Sequence, residues 1–347
     1  MISHTKIILA SFLLLMSTLA CVTILGENVP ETITPDSIVT NPPATLEEPK
    51  PEEALACPVI TNQIMKIATS GSADVKENPL DEEVSLVSYI VSKNEISDPV
   101  FEKVDKGLVG EQNDFATHQQ VWHYFSALIP EEQRKMLAAY SIMTDGKGGT
   151  LAAVSQIESN AHRWGLEVDI ADTANYYDLT FTLVHEFGHL LTLGPSQVPP
   201  DLAVFNNPDD NDIYRQAVSA CPNYFPGEGC ANPDSYINSF YNQFWATIHE
   251  EWNKINLEKD NKDYYDKLDA FYMKYQDQFV TDYAPTNPEE DIAEAWAFFV
   301  LGPKPADNSI ADEKVLFFYQ YPELVNLRAE ILGNLCQEFP QSQRANP

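Results

Sequence analysis

Two stretches of the chain hold residue types whose spacing could do chemistry. The first, His185-Glu186-Phe187-Gly188-His189, matches H-E-x-x-H. On a helix, a spacing of four puts both imidazoles on one face within reach of a single cation. The glutamate after the first histidine then points toward a water on that cation. Apolar residues flank both histidines, and burying two imidazoles and a carboxylate without a partner is costly, so metal binding outweighs a purely structural pair. A catalytic zinc site takes three protein ligands and leaves the fourth position to water. The extended pattern with a third histidine needs glycine at 192 and histidine at 195, where Thr192 and Pro195 stand. The third ligand is therefore expected from the second stretch, Asp282 to Glu294. There Pro288 is suited to open a helix, and Glu290 and Glu294 share one face at i, i+4. Glu290 is the expected ligand, and Glu294, one turn on, is placed to hydrogen-bond a ligand histidine and fix its orientation. Glu289 and Asp291 read as acidic residues favoured at a helix start by the macrodipole.

These residues need two helices to carry them. Asp178 is placed to cap a helix through Phe181, Val184, Phe187, Leu190 and Leu191 that stops at Gly194, with Pro195 just beyond. Pro288 to Leu301 has helical apolar spacing, as do Tyr236 to Ile255, Lys262 to Tyr275 and Leu324 to Leu335. The stretch from Asn94 to Ile129 also reads as largely helical. Leu137 to Thr144 and Thr150 to Ile157 read as two strands of a hairpin about the turn Asp145-Gly146-Lys147-Gly148-Gly149. Gly165 to Ile170 alternates, with Leu166, Val168 and Ile170 on one face, and is expected as a strand whose free edge pairs with an extended peptide. The segment from about 195 to 233 is rich in Pro, Asn and Asp and reads as an insertion loop. Together these elements predict an α+β domain over 56–340, mostly helical, with a small mixed sheet packed on the H-E-x-x-H helix.

At this point the motifs carry a family likeness. H-E-F-G-H with Y-x-x-x-N-x-x-E-x-x-A-E, running from Tyr283 through Asn287, Glu290 and Ala293 to Glu294, resembles the gluzincin metallopeptidases, in particular the catalytic domains of anthrax lethal factor and its relatives. The likeness implies a zincin-like fold, one zinc ion held by His185, His189 and Glu290, Glu186 as the catalytic base, and Tyr283 as a hydroxyl donor to the developing oxyanion. It covers only the two motif segments. The interval between His189 and Glu290 is much longer than common gluzincin spacings. The implied activity is hydrolysis of peptide bonds in extracellular or envelope peptides and proteins. A narrow-specificity, toxin-like effector protease and a non-catalytic zinc-binding envelope protein stay open as alternatives. The intact water-activating set argues against the last.

Other candidates are weaker. His249-Glu250-Glu251-Trp252-Asn253 starts like a second metal motif, but Asn253 stands where a histidine is needed, so a solvated helix face is expected. His118, His123 and His162 have no metal spacing and read as structural. No G-x-S-x-G, phosphate loop or dinucleotide fingerprint is present.

The 347 residues, 44% of them hydrophobic, suffice for one sizeable core and leave little for a second catalytic domain. A formal charge of −31 makes nucleic acid a poor partner and argues against a bulk attraction to anionic membranes. Lys6 precedes an apolar run from Ile7 to Met16, followed by Ser17, Thr18 and Ala20, which reads as an export signal over 1–20. Cleavage is expected either between about Ala20 and Gly26 or just before Cys21. Thr18-Leu19-Ala20-Cys21 resembles a lipobox but lacks the usual aliphatic residue, so secretion and a lipid anchor on Cys21 outside the cell membrane both stand. Residues 21–55 are acidic and Pro-rich and read as a disordered tether. Setting Cys21 aside leaves an even number of cysteines. Cys221 and Cys230 could close a small loop and Cys57 could pair with Cys336; four reduced, buried thiols are the alternative.

Overall fold

The computed structural model describes residues 57–70, 78–257 and 263–344; the expected export signal, Cys21 and the tether lie outside them. In chain order the elements are α1 (Pro58–Thr69), β1 (Asn78–Ser92), β2 (Glu95–Phe101), α2 (Val109–Gln112), α3 (Phe115–Leu128), β3 (Leu137–Lys147), β4 (Ala152–Ile157), β5 (Asn160–Asp169), α4 (Tyr176–Leu193), α5 (Leu202–Phe205), α6 (Asn211–Ala220), α7 (Tyr236–Phe240), α8 (His249–Asn256), α9 (Tyr264–Lys274), α10 (Pro288–Leu301), α11 (Ile310–Phe317) and α12 (Pro322–Glu338). This is an α+β architecture with one small mixed sheet.

The sheet runs β2-β1-β3-β5-β4. All pairings are antiparallel except β3 with β5, which run parallel with Ile142 opposite Val168. Two expectations fall here. The strands β3 and β4 do not form a hairpin, because β5 returns between them; the true hairpin is β4–β5, with Val154 opposite Leu166. For the same reason Leu166 to Val168 is interior to the sheet, so no free edge exists there for a peptide. The edge on this side belongs to β4. Strand β5 is held inside because both its neighbours satisfy its backbone groups, while Leu166 and Val168 are fully buried in the core.

The 94–129 stretch is also corrected. It opens with β2, which is paired to β1 around a turn at Lys93, whose φ of 57° is left-handed. Helix begins only at α2 and α3. Asp114 caps α3 by accepting the Thr117 N–H at 3.2 Å. The 195–233 segment is no bare loop either, since it contains α5 and α6. Disulfides join Cys221 to Cys230 and Cys57 to Cys336, the second tying the start of α1 to α12.

Helix α4 is the centre of the core. Leu179, Leu183, Val184, Phe187 and Leu190 are fully buried on it, and only an element covered on most sides tolerates that pattern. Its cap is Asn175, whose side chain accepts the Tyr177 N–H at 3.1 Å; Asp178, expected as the cap, lies inside the first turn. Helix α10 starts as expected at Pro288, with Asn287 accepting the Glu290 N–H at 2.7 Å. The two helices pack closely because position 188 has no side chain. A Cβ there would meet Trp296 Cδ1 at 3.0 Å and Ala293 Cα at 3.1 Å. This close approach brings the polar face of α4 against the first turns of α10.

Candidate metal centre

His185, Glu186, His189, Glu290 and Glu294 are all carried by these two helices. His185 and His189 sit one turn apart on α4 with ring centroids 4.9 Å apart, and their Nε2 atoms face each other at 3.1 Å. From α10, Glu290 brings Oε2 to 3.0 Å from His185 Nε2 and 3.4 Å from His189 Nε2. The three form a group that could hold a metal ion. In a tetrahedral site with bonds of about 2.0–2.1 Å, neighbouring donor atoms lie roughly 3.3 Å apart. The observed triangle is close to that size.

The hydrogen bonding explains why a cation fits. His185 Nδ1 lies 2.8 Å from Glu294 Oε1, and a carboxylate acceptor there requires the proton on Nδ1. Neutral His185 then presents the lone pair of Nε2 to the Glu290 carboxylate and to His189. Three electron-rich atoms converging in a buried site repel one another unless a proton or a metal ion lies among them. The titration behaviour of these residues follows the same logic. Burial alone would lower the pKa of His185, but its hydrogen bonds to Glu290 and Glu294 push it well above the usual histidine range. Burial alone would raise Glu290, but the adjacent His189 and His185 pull it below the ordinary carboxylate range. Either a doubly bonded imidazolium or a metal ion satisfies the triangle, and the orientation imposed by Glu294 suits the metal.

Glu186 is buried beside this triangle. Burial pushes its pKa up to about 6 against the opposing pull of His189, His185 and the backbone N–H of Val154. The edge strand β4 thus comes up beside α4, a proximity with no signature in the local sequence. Tyr283 is 48% exposed, and its ring lies 6.1 Å from the His185 ring, tilted by 53°. It precedes the short turn Ala284–Thr286 that leads into α10. Glu294 has a second partner that sequence reasoning missed: Thr281 Oγ1 donates to Oε2 at 2.6 Å.

The acidic start of α10 is more than dipole matching. Glu289 is buried and accepts a 2.8 Å hydrogen bond from the Tyr224 hydroxyl, inside the Cys221–Cys230 loop, while burial pushes its pKa up to about 7. Asp291 is fully buried against Lys314 at 2.6 Å and accepts the Trp245 indole N–H at 2.7 Å. These partners arrive from segments distant in the chain. His249 is also corrected: it is packed among the rings of Tyr224, Tyr241 and Trp252, and burial drops its pKa to about 4. His118 is structural as expected, held between the Tyr89 hydroxyl at 2.7 Å and the Glu111 carbonyl at 2.9 Å. His123 and His162 are exposed.

One other group of carboxylates, Asp145, Asp169 and Asp172, also converges. These side chains accept backbone N–H groups of Asp145, Gly148, Thr150 and Ala171, and so shape the glycine-rich turn after β3. Among the described residues no helix is long and apolar enough to cross a membrane. Comparisons with protein-family models, with curated proteins and with solved structures return no match.

Proposed function

We infer that this chain is an exported zinc-dependent metallopeptidase of the gluzincin type, with a zincin-like domain. The observation that carries the reading is the buried triangle of His185, His189 and Glu290, oriented by Glu294 and flanked by an unliganded carboxylate, Glu186. The mixed nitrogen and oxygen donor set suits zinc, and three protein ligands leave room for water. Bound there, zinc supplies a Lewis acid that activates water and polarises a scissile carbonyl. Glu186, in this reading, accepts the proton of the attacking water and passes it to the leaving amine. A carboxylate whose burial already raises its proton affinity is suited to both steps. Tyr283 donates its hydroxyl to the oxyanion as charge develops. An extended peptide would align along the open edge of β4, next to Glu186, with backbone hydrogen bonds supplying affinity. Two disulfides support a location outside the reducing cytosol, as an export signal would require. The test is digestion of a diverse peptide mixture read by mass spectrometry, with Glu186→Gln alongside. Cleavage by the wild type and none by the variant is the expected result; equal cleavage by both overturns the assignment.

A further inference from the structure

The hydrogen bonds behind His185 extend one residue further than orientation by Glu294 alone. Glu294 is buried, and its two oxygens have different partners: Oε1 accepts from His185 Nδ1 at 2.8 Å and Oε2 accepts from Thr281 Oγ1 at 2.6 Å. The same Thr281 oxygen accepts the Ala284 backbone N–H at 3.3 Å. A hydroxyl has one proton to give and two lone pairs to receive with, so both roles are open to it at once. The result is one continuous chain of donors, from Ala284 N–H to Thr281, from Thr281 to Glu294, with His185 donating to the far side of the same carboxylate.

The two ends of that chain matter for different reasons. At one end, a carboxylate tied only to His185 could swing about its side-chain torsions. The second bond to Thr281 fixes its plane and keeps Oε1 aimed at His185 Nδ1. A carboxylate held in that plane holds the imidazole with Nε2 turned toward His189 and Glu290, the side that would bind metal. At the other end, the Ala284 N–H belongs to the turn that immediately follows Tyr283, whose ring lies 6.1 Å from that of His185. In a low-dielectric interior such linked bonds strengthen one another. We propose that Thr281 is a positioning residue that, through Glu294, locks the metal-binding state of His185 and the turn bearing Tyr283 into one arrangement. The inference rests on the zinc reading of this site.

The experiment compares the full chain with Thr281→Val, Thr281→Ala, Thr281→Ser and Glu294→Gln. Zinc affinity is measured by competition with a chromophoric chelator, and the visible absorption of the cobalt-substituted protein is recorded for each. Loss of an outer hydrogen-bond partner weakens metal affinity by about tenfold or more. Thr281→Val and Thr281→Ala are expected to bind zinc about tenfold more weakly and to shift the cobalt band, Thr281→Ser to restore both, and Glu294→Gln to weaken zinc at least as much. Thr281→Ala removes the hydroxyl without setting a methyl group against the carboxylate, so it decides the matter even if Thr281→Val does not fold. Wild-type zinc affinity and an unchanged cobalt band in Thr281→Ala, with Glu294→Gln weakened, overturn the role of Thr281 and leave the metal site standing. A serine variant as defective as alanine also overturns it, since the hydroxyl would then not be the active element. A wild-type chain that binds neither ion overturns this inference together with the reading of the site.

Discussion

Replacing Lys314 with methionine isolates the energetics that hold the first turn of α10 in place. Lys314 and Asp291 are both 0% exposed, with Nζ 2.6 Å from Oδ2 and the ammonium 4.1 Å from the centroid of the Phe279 ring. Burial outweighs the attraction between them: it lowers the pKa of Lys314 and pushes Asp291 up to about 6. In Lys314→Met the Asp291 carboxylate keeps only the Trp245 indole as a partner, and an unpaired buried charge costs roughly 3–5 kcal/mol. Protonation sets a ceiling. Against an unfolded pKa of about 3.9, neutralising the group at pH 7 costs about 1.36 kcal/mol for each of roughly three units, or about 4 kcal/mol. The wild type, with Asp291 already pushed up to about 6, carries about 3 kcal/mol of this at pH 7, so loss of Lys314 adds about 1 kcal/mol there. At pH 5 Asp291 is mostly protonated in both proteins, and the added cost falls toward zero. The sign follows from linkage: a folded-state pKa above the unfolded value favours the folded state below about pH 4, and that advantage is lost as pH rises. Urea denaturation of wild type and variant at pH 7 and pH 5 should thus give a penalty of about 1 kcal/mol that nearly disappears at the lower pH. Adding Asp291→Asn to Lys314→Met should recover at least the loss at pH 7. A penalty as large at pH 5 as at pH 7 refutes the reasoning.

Three further outcomes follow from other contacts. The Cys57–Cys336 bond closes a separation of 279 residues, for which the chain-entropy relation puts an upper limit of about 5 to 6 kcal/mol on its contribution. Cys57→Ser with Cys336→Ser should lower the melting temperature by many degrees, and a melt unaffected by the change would count against that tie. Gly188→Ala forces α4 and α10 apart, because its Cβ would lie 3.1 Å from Ala293 Cα; a loss of about 1–3 kcal/mol and weaker zinc binding are expected, and unaltered values for both would contradict the packing argument. Tyr283→Phe should reduce kcat by about a hundredfold with little change in KM, whereas a drop under about threefold would remove Tyr283 from the chemistry.

The helices that carry the site were legible because their signals are local. Pro288 and the apolar spacing through Leu301 mark α10 at both ends, and Gly194 marks the end of α4. The i, i+4 spacing likewise pairs His185 with His189 and Glu290 with Glu294 from the order of residues alone. What was not legible depends on distant partners. Strand β2 is largely exposed, so it carries no apolar alternation, and Asp98 and Pro99 further mask it. The return of β5 between β3 and β4 is a choice of non-local pairing that turn residues cannot reveal. Tyr236 to Ile255 reads as one helix, yet it breaks into α7, a π-turn at Tyr241–Trp245 and α8. Phe240, Phe244, Ile248 and Trp252 recur every four residues, and an α-helix drifts about 40° at each such step, so local widening is needed to keep them all buried. Thr281, Val154, Tyr224 and Lys314 were missed for a related reason: each acts on the site only through contacts made by folding.

The most direct test of the central claim is a zinc titration of the metal-stripped protein, followed simultaneously by hydrolysis of a peptide mixture. Cleavage should be absent without metal, rise with added zinc and break at one ion per chain, and Glu186→Gln should bind the same single ion without cleaving. Cleavage that persists after zinc is removed, or zinc bound one per chain with no cleavage of any peptide by the wild type, would contradict it.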